Sequence, residues 1–374
     1  MKKLFSTWQK NLVARFRSLD RGIWFSALIL MFFGLFLTMA AGPAVAERRG
    51  DVWDYFIRKQ LVWTPLALLT LFITGLMSVK VARRLTFLAF IGAILGMFAV
   101  LIFGSEIQGA KRWITLMGIT VQPSEFVKPA FAVVVAWFLA RSRLLRQSHG
   151  GWWAWLTYLL TIALLLKQPD FGMTLTVTVI FGAELLLYGL SIWFIGILAP
   201  CAAAIIPLAY FTMDHVRTRI DSFLHPTTQN SYQVRKSLET LKNAGLFGKG
   251  PGEGVVKYEL PDAHTDFVMA VSAEEFGFIL SSVIVLTFIY IVFHGTKLIR
   301  QNNNFFVQLA VGGLVSQIAF QAFVNLGSTL NVLPPKGMTL PLISYGGSSS
   351  ISVAFAFGLI LAFTRQKTFS RGLE

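Results

Sequence analysis

A group of acidic residues at the edge of an apolar segment is the part of this sequence best suited to chemistry. The stretch LPDAHTDFVMAVSAEEFGFI, residues 260–279, carries four carboxylates and one histidine. Charge beside a membrane span is costly and usually has a function. At helical spacing, Asp266 shares one face with Ala270, Ala273, Glu274 and Gly277. Small residues with acids between them are typical of a bundle interior, so we predict that Asp266 points inward and acts as a general base.

Two other roles stay open for this stretch. Asp266 could cap the helix N-terminus, a role for which Asp262 and Thr265 compete. His264, two residues before Asp266, could join it in contacting a divalent cation such as Mg²⁺ or Mn²⁺. One His–Asp pair is only a small part of a divalent cation's ligand set, and we therefore assign no cofactor.

Basic residues that could bind a phosphate group occur in an earlier segment. In GAKRWITLMGITVQPSEFVK, residues 109–128, Arg112 stands beside Trp113, an aromatic residue of the type that lies at membrane interfaces. Glu125 and Lys128 follow, three residues apart on one helical face. Clustered bases at a membrane surface favour anionic headgroups, so the segment predicts a site for a phosphate-bearing lipid. The alternative is an interfacial anchor with a structural Glu–Lys pair.

Two further segments place polar residues at the ends of apolar runs. In KQPDFG, residues 167–172, Asp170 is placed to cap the next helix. The stretch LNVLPPKGMTLPLISYGGSSS, residues 330–350, contains Lys336 and is rich in Pro, Gly and Ser. It predicts an ordered irregular loop, and such backbone at membrane depth requires contact with protein or a water-filled cavity. We therefore expect a cavity here.

A single carboxylate beside cations, in a cavity open to lipid, suits one chemistry. The carboxylate would take a hydroxyl proton while the cations stabilise a leaving pyrophosphate. That corresponds to group transfer from a pyrophosphate-linked lipid. The sequence contains no Walker lysine motif, no G-x-S-x-G and no H-E-x-x-H, so ATP-driven transport, serine hydrolysis and zinc proteolysis have no support.

The elements that position these residues are membrane spans. The chain is 55% hydrophobic and 14% charged, and its mean hydropathy is +0.64, which is typical of a polytopic membrane protein. Ten apolar runs can each cross a core of about 30 Å: 23–42, 60–79, 85–103, 125–140, 152–166, 172–190, 192–212, 267–293, 305–327 and 347–364. The prediction is an all-α integral membrane protein, a bundle of ten transmembrane helices. The single cysteine, Cys201, excludes a disulfide framework.

The distribution of charge sets the orientation. Ten spans put both termini on one side, and the tails and short loops of that side hold the whole excess of +15. By the positive-inside rule both termini, 1–21 and 365–374, are cytoplasmic. This patterning argues against a nucleic-acid partner. The polar motifs above then lie on the extracytoplasmic side.

The longest outer loop, the fourth, runs over 213–266 and is too long for a simple connector. Within it, residues 230–250 carry helical spacing and predict an amphipathic interfacial helix. We treat 1–374 as a single membrane domain. A basic tail, an apolar run and AVAE at 44–47 imitate a signal peptide. Because the run is long and cleavage would spoil the charge parity, we predict an uncleaved first span.

The motifs PDAHTDFVMAVSAEEFG, VQPSEFVK, KQPDFG and LPPKGMTLPLISYGGSSS together resemble the SEDS family (shape, elongation, division and sporulation). The resemblance covers most of the chain. LPPKG and GKGPGEG are similar to the division branch of the family rather than the elongation branch. RIDSFLHP, residues 219–226, is similar to the family's long loop, but His225 stands where the family more often has an acid.

The resemblance implies a peptidoglycan glycosyltransferase that polymerises lipid II at the outer face of the bacterial cytoplasmic (inner) membrane. The 4-hydroxyl of an N-acetylglucosamine would attack the anomeric carbon of a lipid-linked N-acetylmuramic acid, and undecaprenyl pyrophosphate would leave with one inversion. The family's essential acid in HTDF falls on Asp266, as general base. Further substrate-binding positions implied by the resemblance or by charge are Arg112, Trp113, Glu125, Lys128, Asp170, Arg219 and Lys336.

The resemblance also implies partners: a class B penicillin-binding protein, which supplies the transpeptidase, and other membrane proteins of the division machinery at the septum. Two alternatives stay open, a role in elongation and a transporter that flips lipid II. A flippase should carry charge through the bilayer, and Glu184 is the main mid-span candidate. A pure scaffold would leave an inward-facing Asp266 unexplained.

Overall fold

The structure is a computed structural model of the chain. It describes residues 13–107, 110–116, 119–145, 149–190, 207, 210–211, 217, 221, 239–240, 244–260, 262–333 and 337–365.

Long helices dominate the part of the chain that the structure describes. They are α1 Arg21–Arg49, α2 Tyr55–Gly75, α3 Val79–Phe103, α4 Pro123–Leu145, α5 His149–Lys167, α6 Phe171–Tyr188, α7 Val268–Gln301, α8 Phe305–Thr329 and α9 Gly347–Thr364. The strands are β1 Ser105–Ile107, β2 Ala110–Leu116 and β3 Ile119–Val121, and one 3₁₀ turn covers Val256–Tyr258.

Eight of these helices are long and apolar enough to cross a membrane, and α5 lies where the fifth span was expected. The chain is a polytopic helical membrane protein, as predicted. The expected seventh span, 192–212, falls almost entirely outside the described residues. Of the amphipathic helix expected at 230–250, residues 239–240 are helical, but 244–250 form turns and bends, so the predicted helix does not extend through that end.

The centre of the bundle is built from α4, α8 and α9. In these three helices 83%, 72% and 78% of the residues in an apolar 18-residue stretch are buried, against 22% in α2 and in α7. Close approach at the centre depends on small residues: a Cβ placed at Gly358 of α9 would lie 1.6 Å from the Thr74 hydroxyl oxygen of α2. The apolar outer faces of α2, α3 and α7 are left for lipid.

The first span is held at its cytoplasmic end by the side chain of one aspartate. Asp20 caps α1 by accepting the amide of Ile23 at 2.9 Å. The same carboxylate lies 2.9 Å from His294 Nε2 of α7. One of the few acids of the basic side therefore joins the first span to α7.

The outer segment that follows α3 is a small antiparallel sheet in the order β1-β2-β3. Trp113 pairs with Ser105, and Ile114 pairs with Val121. The sequence predicts a site for a phosphate-bearing lipid here, or else an interfacial anchor, and its pattern does not indicate strands. The sheet positions Arg112 and Trp113 at the entrance of α4.

The structure corrects the expectation for the acidic stretch at the start of the predicted eighth span. Asp266 precedes α7, in a turn, because the helix begins at Val268. Gly277 is not on a common helical face with it, since its backbone is non-helical, with φ 75° and ψ −171°. The span is thus two helical pieces, 268–276 and 278–301, joined at Gly277. A single glycine at helical spacing gives no sign of such a break.

Candidate active site

Asp266 lies at the end of a tight turn that is fixed from several sides. The Asp262 carbonyl accepts the amides of Thr265, Asp266 and Phe267 at 3.1, 3.0 and 3.3 Å. The Ser344 hydroxyl donates to the Thr265 carbonyl at 2.6 Å. The backbone on both sides of the carboxylate is therefore bound to its surroundings.

The last irregular loop reaches the Asp266 carboxylate. A Cβ placed at Gly337 would lie 3.7 Å from Asp266 Oδ2. Gly337 directly follows Lys336, one of the predicted cations, which lies outside the described residues. Asn325 of α8 joins the two segments, because its side-chain amide donates to the carbonyls of Asp266 at 3.1 Å and Met338 at 2.8 Å.

His264 has a packing role. It is 3% exposed, and its ring lies 4.4 Å from the Phe56 ring and 5.3 Å from the Tyr345 ring. Burial, together with the charge of Arg49, lowers the pKa of His264 to about 3. Within the described residues no cluster of three or more His, Cys, Asp or Glu side chains is placed to hold a metal ion.

Asp170 and Arg112 lie close together although they are 58 positions apart in the sequence. Asp170 caps α6 by accepting the Met173 amide at 3.2 Å, which confirms the predicted cap. Its Oδ2 also accepts from Gln122 Nε2 at 3.3 Å and lies 3.8 Å from Arg112 Nε. Arg112 further donates to the carbonyls of Gln168 and Pro169. The guanidinium thus holds the turn before α6.

Glu125 and Lys128 form the predicted ion pair, at 2.8 Å. The pair is buried inside the bundle and does not lie at the surface, since Lys128 is 0% and Glu125 5% exposed. The contact is not aligned as a hydrogen bond, so Lys128 Nζ and Glu125 Oε2 keep unfilled hydrogen-bonding positions among the described residues. Ser352 of α9 donates to the Glu125 carbonyl at 2.7 Å and fixes the first turn of α4.

The structure therefore groups some predicted residues and leaves others unplaced. Arg112 meets Asp170, Glu125 meets Lys128, and Trp113 is half-buried on β2 beside Arg112. Arg219 and Lys336 lie outside the described residues.

Sequence reasoning did not identify the bases that pair with Glu274 and Glu275, the two acids that follow Asp266 in the chain. Glu274 lies 2.9 Å from Lys249 Nζ, and Glu275 lies 2.6 Å from Lys257 Nζ. Both carboxylates are buried. Two adjacent acids, preceded by a glycine-rich segment with two lysines, were the available signal.

Buried acids and bases at the outer ends of a helical bundle define a polytopic membrane protein with a polar site beneath irregular outer loops. The model of the cell cycle protein family that comprises FtsW, RodA and SpoVE matches residues 20–369. The chain belongs to this family.

Curated relatives match over nearly the full length. A protein of Caulobacter vibrioides named probable peptidoglycan glycosyltransferase FtsW is 39% identical, over 93% of this chain and 90% of the relative. A protein of Coxiella burnetii with the same name is 35% identical, over 92% and 95%. These relatives confirm the predicted family and favour its division branch.

Solved structures agree with the fold. One, described as structural coordination of polymerization and crosslinking by a peptidoglycan synthase complex, has a TM-score of 0.76 at 26% identity and covers 93% of this chain and 98% of its own. The rod shape determining protein RodA of Thermus thermophilus has a TM-score of 0.66 at 24% identity, over 93% and 97%.

Proposed function

We propose that the protein polymerises lipid II into glycan strands at the outer face of the bacterial cytoplasmic membrane. The observation that carries the proposal is the fixed turn that presents Asp266, bound through Asp262, Asn325 and Ser344. The relatives named peptidoglycan glycosyltransferase supply the substrate class. The reaction joins the 4-hydroxyl of an N-acetylglucosamine to the anomeric carbon of a lipid-linked N-acetylmuramic acid.

Asp266 is the general base of this reaction. Its carboxylate takes the proton of the attacking hydroxyl, and undecaprenyl pyrophosphate leaves from the opposite side of the anomeric carbon. An α-linked donor gives a β-linked product in one inversion, so the protein needs no nucleophile of its own and one carboxylate suffices. A fixed base lowers the cost of orienting the acceptor.

Cationic residues neutralise the leaving pyrophosphate. Lys336 and Arg219 are the candidates, and the position of Gly337 beside Asp266 supports Lys336. Lys128 is a further candidate, because its buried ammonium has donor positions left unfilled by the described residues. Four further residues bind the substrate or hold the elements that bind it: Arg112, Trp113, Glu125 and Asp170. A cation near a departing phosphate stabilises the charge that develops in the transition state.

The partner is a class B penicillin-binding protein that cross-links the strands. The similarity to a structure of a complex that coordinates polymerization and crosslinking supports this partner. The relatives named FtsW support a place at the division septum, together with other membrane proteins of the division machinery.

The alternative function is transport of lipid II across the membrane, and one observation supports it. Both carboxylate oxygens of Glu184 in α6 are buried without a hydrogen-bond partner among the described residues. A Cβ at Gly313 of α8 would lie 2.2 Å from Glu184 Oε1, so the acid lies against a packed helix. The buried side chains of Gln317, Gln321 and Asn325 continue this face of α8 outward.

The deciding experiment gives labelled lipid II to the purified protein, alone and with its partner, and resolves the glycan chains on a gel. Asp266→Asn is expected to abolish the polymer. Asp262→Asn, four residues away and with a side chain 4.0 Å from Arg49, is expected to retain it. Absence of polymer in every partnered condition overturns the proposal. Flipping of lipid II in vesicles that survives Asp266→Asn and is lost in Glu184→Gln supports the alternative.

A further inference from the structure

The break at Gly277 frees backbone groups inside α7, nine residues after the helix begins at Val268. The piece 268–276 has lost the helical partners of its last carbonyls, and the piece 278–301 those of its first amides. Most residues just before the break are buried, and buried backbone groups are nearly always hydrogen-bonded. The partners come from the segment 244–260, which precedes Asp266 in the chain.

Residues 244–260 form turns, bends and one 3₁₀ turn and no β-strand. We call this segment the re-entrant strand because it enters the break in α7, and it hydrogen-bonds to both sides of the break. The carbonyls of Gly245 and Leu246 accept the amides of Phe278 and Ile279 at 3.0 and 3.2 Å. In the other direction, the amides of Lys249 and Gly250 donate to the carbonyls of Glu274 and Glu275 at 2.8 and 3.0 Å. The strand thus replaces the missing helical hydrogen bonds.

The side chains of the two acids hold the same strand. The Glu274 carboxylate accepts the amides of Val255 at 2.9 Å and Val256 at 3.0 Å, as well as Lys249 Nζ at 2.9 Å. The Glu275 carboxylate accepts the Gly252 amide at 2.9 Å and Lys257 Nζ at 2.6 Å. We call Glu274, Glu275, Lys249 and Lys257 the Glu–Lys clamp.

Three of the four clamp side chains are buried, and Lys249 is 42% exposed. Glu275 and Lys257 have side-chain exposures of 0% and 4%, and Glu274 has 1%. Lys257 uses a second donor on the Gly252 carbonyl at 2.9 Å. A charge removed from such a pair leaves its partner buried and unpaired, whereas removal of both can be harmless.

The re-entrant strand precedes the Asp266 turn in the chain, and α7 begins directly after that turn. Leu260 at the end of the strand and Phe267 at the end of the turn share one buried cluster. The strand, the turn and the half-helix 268–276 are therefore one re-entrant hairpin with Asp266 near its tip.

We propose that Glu274 and Glu275 are positioning residues that hold the re-entrant strand in the Gly277 break and thereby set the place of Asp266. The inference rests on the proposed polymerase function, but the placement of the strand can be tested apart from activity. A displacement of the general base by about 1 Å can cost about a hundredfold in rate.

The activity test uses Glu275→Gln, with Glu253→Gln as the matched control. Glu253 is exposed and lies in the same strand. In the full-length protein with its partner, Glu275→Gln is expected to lower kcat about a hundredfold with little change in KM for lipid II, and Glu253→Gln to leave both unchanged. The double variant Glu275→Gln with Lys257→Met is expected to recover most of kcat, because no unpaired charge stays buried. Full activity in the single variant, or no recovery in the double, overturns the proposal.

The placement test uses a disulfide in a background with Cys201→Ala. Leu246→Cys and Ile279→Cys replace two exposed residues whose backbones are hydrogen-bonded. Mild oxidation is expected to cross-link the pair, more slowly once Glu275→Gln is added, and mass spectrometry measures the yield. Oxidation of the Glu275→Gln form is then expected to restore kcat, and reduction to remove it again.

The two tests fail separately. If the cysteines do not cross-link in the otherwise unmodified protein, the re-entrant strand does not lie in the break and the inference is wrong, whatever the activity. If they cross-link completely while the Glu275→Gln form stays inactive, Glu275 acts by another route. If the parent protein polymerises nothing with its partner, the proposed function is wrong. The cross-linking rates with and without Glu275→Gln still test whether the clamp holds the re-entrant strand.

Discussion

The side-chain amide of Asn325 donates to the carbonyl of Asp266 at 3.1 Å and to that of Met338 at 2.8 Å. One buried residue of α8 thus holds both the turn that presents the acid and the loop that follows Lys336. Both hydrogens of its amide are used, so no other side chain of this size can replace it fully.

Asn325→Asp should lower the rate of lipid II polymerisation by about tenfold or more, since the loss of two buried donors frees the Asp266 turn. The effect should fall on kcat. Ser316→Ala is the control on the same helix, because among the described residues the Ser316 hydroxyl donates to the Gly312 carbonyl of its own turn. Equal rates for the two variants would remove Asn325 from the positioning of Asp266.

Lys128→Met should destabilise the protein by about 3–5 kcal/mol, because Glu125 would keep a buried charge without its partner. The double variant Glu125→Gln with Lys128→Met should recover much of that loss. Thermal unfolding in detergent measures both. If the double variant is as stable as the parent but inactive on lipid II, Lys128 acts on substrate as well as on structure. A stable single variant would contradict the buried pair.

The buried ring of His264 should make stability depend on pH. Burial and Arg49 hold its pKa at about 3 in the folded protein, while the unfolded chain binds the proton near pH 6.5. Below pH 6.5 the unfolded state gains protons that the folded state does not. Stability therefore falls as the pH is lowered, by about 2 kcal/mol between pH 7 and pH 5.

His264→Phe should flatten this pH dependence, since a phenyl ring keeps the contacts with Phe56 and Tyr345 without a titrating group. The measurement is the unfolding temperature of both proteins from pH 7 to pH 5. Identical slopes would show that His264 does not carry the effect.

Gly277→Ala should prevent correct packing of α7. Its φ of 75° disfavours any side chain, and a Cβ there would lie 2.4 Å from both the Gly248 nitrogen and the Leu246 oxygen. The cost should exceed about 3 kcal/mol. Gly182→Ala is the control, because a Cβ at this helical glycine meets nothing within 4 Å. Similar unfolding temperatures for both variants would contradict the break.

Much of the architecture could be predicted, because bilayer thickness and charge asymmetry leave few alternatives. The apolar runs gave the described spans, and local chemistry gave the Asp170 cap and the Glu125–Lys128 pair. These features depend on residues close together in sequence, where spacing alone decides which side chains meet.

The break in α7 and the Glu–Lys clamp could not be predicted in the same way. Glu275 is 18 residues from Lys257 in the chain, and the pairing requires the re-entrant strand to enter the break in α7. Gly277 reads as a small residue of a helix interface until its backbone angles are known. Burial of the Glu125–Lys128 pair likewise depends on α8 and α9, which its own segment does not specify.

The most direct measurement is the pH dependence of lipid II polymerisation by the partnered protein and its Asp266→Asn variant. The account predicts that the parent loses activity on the acid side as the carboxylate is protonated, and that the variant forms no glycan chains at any pH. Asp262→Asn should retain the parent's profile. Glycan chains from the Asp266→Asn variant at the parent's rate would contradict the account.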